Sequence, residues 1–71
     1  MPSMGVRDVL AVNLRAQRRR QNLSQEELAY RAGLDRTYVS SLERGIYAAT
    51  IDVVDRLARA LGIQAFELLK P

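Results

Sequence analysis

The chain contains no cysteine, no histidine and no tryptophan, and only two prolines among its 71 residues. Without cysteine there are no disulfides and no thiolate nucleophile; without histidine the usual imidazole base and most zinc sites go as well. The core must hold by packing alone. No clustered carboxylates replace the missing groups, so the chain reads as a non-enzyme with no metal and no cofactor. No apolar run approaches the ~20 residues of a membrane span. Met1 to Gly5 lacks the charged-then-apolar order of a signal peptide. A cytoplasmic protein with no membrane partner is expected.

Hydrophobic residues make up 48% of the chain, ordinary for a globular protein and too high for disorder. The length leaves room for one domain, expected over residues 6–71 behind a disordered N-terminus at 1–5. No second catalytic or ligand-sensing domain and no small-molecule ligand are expected. The formal net charge is +3. Arg7, Arg15, Arg18, Arg19 and Arg20 stand against Asp8 alone in the first twenty residues, which concentrates the excess there. A basic chain of this size suits a polyanionic partner, although the same charges also complement a helix C-terminus.

Five helical patterns follow one another between turn signals and no segment shows strand alternation, so the fold class is all-α. The first pattern spans Val6 to Arg20 with Val6, Leu10, Leu14 and Gln17 on one face, and Asn22 ends it in the left-handed position. In Leu23-Ser24-Gln25-Glu26-Glu27-Leu28, Ser24 caps a second helix, Glu27 reaches back to close a capping box, and Leu23 and Leu28 form a hydrophobic staple. That helix runs to Ala32, where Gly33 supplies a left-handed exit. Only Leu34 separates Gly33 from Asp35, the cap of a third helix over about 36–44, with Leu34 and Val39 repeating the staple. After Gly45 comes a loop from Ile46 to Ala49. Thr50 caps a fourth helix whose inner face is Ile51, Val54, Leu57, Ala58 and Leu61, and Gly62 stops it. A last turn, about 65–69, brings Phe66 and Leu68 onto the core.

Gln25 to Arg44 is twenty residues, the length of a helix-turn-helix that binds DNA. Ala29 is small where the two helices cross, Gly33 sits at the turn, and Leu28, Leu34, Val39 and Leu42 face inward. With Leu23 to Ala29, Arg36-Thr37-Tyr38-Val39-Ser40, Leu42-Glu43-Arg44-Gly45 and Leu57-Ala58-Arg59-Ala60-Leu61-Gly62, the sequence resembles the lambdoid phage repressor and Cro family of xenobiotic-response-element type. That family includes the controller proteins of restriction-modification systems. The resemblance covers about residues 10–69. It implies a compact five-helix, lambda-repressor-like domain, a prokaryotic or phage transcriptional regulator whose third helix is the recognition helix. It also implies an ion pair between Arg18 and Glu43 that locks that helix. The sequence departs from the family pattern at Gln17, where leucine is usual, at Ala49, where proline commonly precedes the fourth helix, and at Gln64, where a serine caps the fifth.

The chemistry of the third helix can be read independently. With Val39 and Leu42 inward, Arg36, Thr37, Ser40, Ser41 and Arg44 project outward as a short polar face that fits a major groove. Arginine makes a bidentate contact to guanine, and threonine and serine bond base edges or touch a thymine methyl. Arg36, Thr37, Ser40 and Ser41 are therefore the candidate base readers. Ser24 and Gln25 at the start of the second helix, with Tyr38, Arg44 and Tyr47, are candidate phosphate contacts. Tyr30 and Arg31 read as surface residues, while Arg15, Arg19 and Arg20 fit either phosphate contacts or, the favoured reading, solvated charges.

The expected partner is double-stranded DNA, bound by a homodimer, because one recognition helix covers too few base pairs and two half-sites add their energies. Ile46, Val53, Phe66 and Leu69 are the candidate interface. The alternative is a protein-interaction module, as in antitoxins that use the same fold to hold a partner. Repressor, activator, controller and antitoxin roles all stay open on the sequence.

Overall fold

The computed structural model describes residues 5–71 as five helices: α1 (Val6–Arg20), α2 (Gln25–Ala32), α3 (Arg36–Glu43), α4 (Ile51–Leu61) and α5 (Phe66–Leu69). Most of the segment expected to be disordered, residues 1–4, lies outside the described residues. Gly5 is described, and its carbonyl accepts the first bonds of α1 from the Asp8 and Val9 N–H groups.

Local chemistry sets the helix limits. The Ser24, Asp35 and Thr50 side chains accept the N–H of Glu27, Thr37 and Val53 at 2.9, 2.8 and 3.1 Å, each satisfying a donor that has no partner inside its helix. The capping box at Ser24 is only half made, which corrects the sequence reading. The Glu27 carboxylate pairs forward with Arg31 at 3.2 Å instead of reaching back. The backward arm that is missing at Ser24 occurs before α5, where Glu67 accepts the Gln64 N–H at 3.1 Å, although no side chain caps the first N–H groups of that helix. Asn22 has φ +57° and Gly33 φ +69°, the left-handed positions that end α1 and α2.

The core is leucine-rich. Leu14, Leu28, Leu42, Leu57 and Leu68, one from each helix, are fully buried with Val39, and each such side chain contributes about 1.5–3 kcal/mol by leaving water. Leu10, Leu23, Ala29, Ala32, Val54, Ala58 and Leu61 complete it. Three residues assigned inward by periodicity lie outside: Val6 is 71% exposed, Ile51 87% and Phe66 63%. Val6 and Ile51 are the first residues of their helices, and helical side chains lean toward the N-terminus, so both point past the end of the bundle. In the single turn of α5, Leu68 takes the inward direction, and Phe66, two positions away, faces almost oppositely.

Helices α2 to α5 share one feature: a side chain from another segment binds carbonyls at the C-terminal end of each. Arg56 of α4 donates to Ala32 O (3.1 Å) and Gly33 O (2.8 Å) at the end of α2. Arg15 of α1 donates to Glu43 O (3.2 Å) at the end of α3. Gln21 donates to Leu61 O (2.7 Å) at the end of α4. Asn13 donates to Leu68 O (3.0 Å) and Lys70 O (2.8 Å) at the end of α5. These carbonyls lack helical partners and carry the negative end of each helix dipole. The donors satisfy them while fixing one helix against another.

Candidate nucleic-acid interface

Helix α3 buries Val39, Leu42 and Glu43 and exposes Arg36 and Thr37, with Ser40 and Ser41 half-buried. Its eight residues span ~12 Å, about the width of a major groove. Asp35 holds the first turn. Hydrogen bonds from the Thr37 backbone N–H and then its hydroxyl keep the Asp35 carboxyl below its ordinary range.

The other end of α3 is anchored at Glu43, whose side chain has no exposed surface. Arg18 grips it with both arms, Nε to Oε2 at 2.6 Å and Nη2 to Oε1 at 3.0 Å, while Arg18 Nη1 donates to Leu23 O at 2.8 Å. Gln25 Nε2 donates to Oε1 at 3.1 Å and Arg15 Nε lies 3.7 Å away. One carboxylate thus ties α1 and the start of α2 to the end of α3. Burial pushes the Glu43 carboxyl up, but the hydrogen bonds from Arg18 and Gln25 and the charges of Arg18 and Arg15 outweigh it, and the group is held below the usual carboxylate range. The Arg18 guanidinium is raised, first by its hydrogen bond to Glu43.

Ser24, Gln25, Glu26, Arg18 and Arg36 line an open cleft of about 520 Å³ between the starts of α2 and α3. Two of the expected phosphate contacts and one expected base reader therefore face a common space. The Ser24 hydroxyl accepts from Glu27 and keeps its own O–H to donate. The Gln25 amide spends one hydrogen on Glu43 and keeps the other. Arg44 caps the C-terminus of α3 and is exposed, and Tyr38 and Tyr47 meet as a tilted ring pair with centroids 6.5 Å apart.

The candidate interface residues behave differently from one another. Leu69 lines an apolar groove of about 640 Å³ with Val6, Leu10, Ile51 and Val54, rimmed by Arg7, Asp52 and Asp55. Ile46 and Phe66 are exposed. Val53, read as outward, packs partly on the core. Sequence reasoning also misplaced Arg15, which is not a free solvated charge but donates to the Glu43 carbonyl and lies 3.7 Å from its carboxylate. It missed Asn13, Gln21 and Arg56 altogether. The only signal for these three was the need of each helix C-terminus for a donor, and that need does not name the donor.

The helix-turn-helix family model matches residues 14–68. The chain is similar to a hypothetical transcription factor of Neisseria meningitidis, 47% identical over 93% of this chain and 62% of that protein. It is similar to the control protein C.BamHI of Bacillus amyloliquefaciens, 44% identical over 68% of this chain and 59% of that one. The chain spans less than two thirds of the length of these two relatives. Among solved structures, the restriction-modification controller protein C.AhdI of Aeromonas hydrophila matches with a TM-score of 0.85 at 40% identity, covering 87% of this chain and 94% of that one.

Proposed function

The chain belongs to the helix-turn-helix family, and on that premise we propose that it is a DNA-binding transcriptional regulator that inserts α3 into the major groove of a palindromic operator as a homodimer. The observation that carries this reading is the mounting of α3. Asp35 holds one end and the buried Glu43 network the other, so Arg36 and Thr37 are presented on a rigid polar face. A rigid mount matters because a bidentate base contact needs both distance and angle, and is lost when a tilt carries the donor beyond about 3.5 Å or far off line.

In this reading Arg36, Thr37, Ser40 and Ser41 read base edges. The free N–H groups at the start of α2, with Ser24, Gln25, Tyr38, Arg44 and Tyr47, hold phosphates. The similarity to C.BamHI and C.AhdI supports a small controller-type regulator working in the cytoplasm beside its operator. The apolar residues Ile46, Phe66 and Leu69 support pairing of two copies, which would set two α3 helices about one helical turn apart.

Selection of bound duplexes from a random library, followed by gel shifts across salt concentrations, tests the reading. A two-fold symmetric sequence whose binding weakens steeply with salt is the expected result. Failure to enrich any duplex, together with capture of a folded protein partner, would replace it with the protein-interaction alternative.

A further inference from the structure

The turn between α2 and α3 is three residues long, Gly33-Leu34-Asp35, and the orientation of α3 follows from the peptide planes at its start. Helix α3 packs on α1 and α2, whereas α4 packs on α2. Arg56 extends the influence of α4 to the turn itself: Nε binds the last carbonyl of α2, at Ala32, and Nη2 binds the first carbonyl of the turn, at Gly33. Among the described residues no carboxylate pairs with Arg56, since its neighbour Asp55 is taken by Arg59. Its charge is thus directed at the negative end of the α2 dipole. A planar fork with two N–H directions holds two successive carbonyls in a fixed relation, which a lysine ammonium cannot do. The guanidinium can lie this close to the turn because residue 33 is glycine. A Cβ there would stand 2.6 Å from Arg56 Nη2, besides requiring a side chain at φ +69°.

We propose that Arg56 is a positioning residue for DNA recognition, fixing the angle at which α3 leaves the turn and thereby the discrimination between operator and other DNA. This inference rests on the DNA-binding reading above. Loosening the turn should tilt α3 away from the base edges while leaving the α2 N-terminus and the other phosphate donors in place. Specific binding should suffer and non-specific binding should not.

The test compares the intact chain with Arg56→Ala and Arg56→Lys on two duplexes, one selected by the parent protein and a scrambled version of it, at a temperature where circular dichroism shows each variant folded. Arg56→Ala should lose about tenfold or more on the selected duplex, the size of one lost base contact. On the scrambled duplex it should lose less than about twofold, with the salt slope unchanged. Arg56→Lys, keeping the charge but not the fork, should recover only part of the selectivity; should Arg56→Ala not fold, the lysine variant alone carries the comparison. Equal losses on both duplexes with the salt slope reduced by about one would make Arg56 a phosphate contact and overturn the proposal. So would a lowered melting temperature with selectivity intact. If the parent itself fails to distinguish the two duplexes, it is the DNA-binding reading that falls.

Discussion

On the side of α2 and α3 the polar groups are tied to one another: Glu43 to Arg18, Gln25 and Arg15, Asp35 to Thr37, Ser24 to Glu27. Around the starts of α1 and α4 and on α5, large apolar side chains stand in solvent instead, with Val6, Ile51, Phe66 and Leu69 all exposed. Behind the first face every buried side-chain nitrogen and oxygen among the described residues has a partner, while Ser24 and Gln25 each keep one donor free at its surface. A polar face with satisfied buried supports resists rearrangement and suits the reading of a fixed ligand geometry. An exposed apolar face retains a driving force for association. In the proposed reading the first side takes DNA and the second meets another copy of the chain.

The largest expected effect would break the first face. Glu43→Ala removes the buried carboxylate on which Arg18, Gln25 and Arg15 converge, and because Arg18 borders the open cleft the cost should reach at most the ~3–5 kcal/mol of breaking a buried pair, still a large part of the stability of so small a domain. Urea denaturation measures it; an unchanged midpoint would mean that the network is ornamental. Acid should reveal the same group. Its folded-state carboxyl lies below the unfolded value of about 4.3, so its contribution is complete above that pH and is lost as the pH falls through the lower folded-state value. Glu43→Gln should accordingly flatten the acid limb of the stability curve.

The second face is probed by Phe66→Ser. If that side is where two copies meet, self-association should weaken by about 1.5–3 kcal/mol in sedimentation equilibrium while the monomer fold persists, because Phe66 is 63% exposed and adds little to the core. Unchanged association would detach this patch from dimerisation. Next in size, Arg36→Ala should cost roughly 1–3 kcal/mol per half-site on the preferred operator and relax selectivity at one base position. Arg44→Ala should weaken all duplexes about equally and lower the salt slope by about one. Identical behaviour of the two variants would erase the division between base readers and phosphate holders. The smallest effect belongs to Arg59→Ala. Its 3.0 Å pair with Asp55 is exposed on both sides, so a change in stability of at most ~0.5 kcal/mol sharpens the contrast with Glu43.

Much of this was legible in the chain. The limits of α1, α2 and α4, the left-handed Asn22 and Gly33, and the caps Ser24, Asp35 and Thr50 follow from backbone rules that act over three or four residues. Those rules need no knowledge of the rest of the fold. Periodicity also named the inward Leu10, Leu14, Val39, Leu42 and Leu57, but it failed at Val6, Ile51 and Phe66. It reports an angle around a helix and not whether anything stands opposite. Helix ends and single turns are where that difference matters.

By itself the sequence determined the helices, their caps, the twenty-residue spacing of the motif and the polar outer face of α3, because each depends on neighbours along the chain. Only the tertiary structure decided where long flexible side chains terminate. Arg15, Gln21 and Arg56 reach carbonyls 28, 40 and 24 residues away respectively, and Glu43 gathers its donors from α1 and from Gln25. An arginine or glutamine carries several rotatable bonds and is content in water, so local sequence leaves its direction open. What settles it is an unpartnered carbonyl or carboxylate that packing has brought within reach.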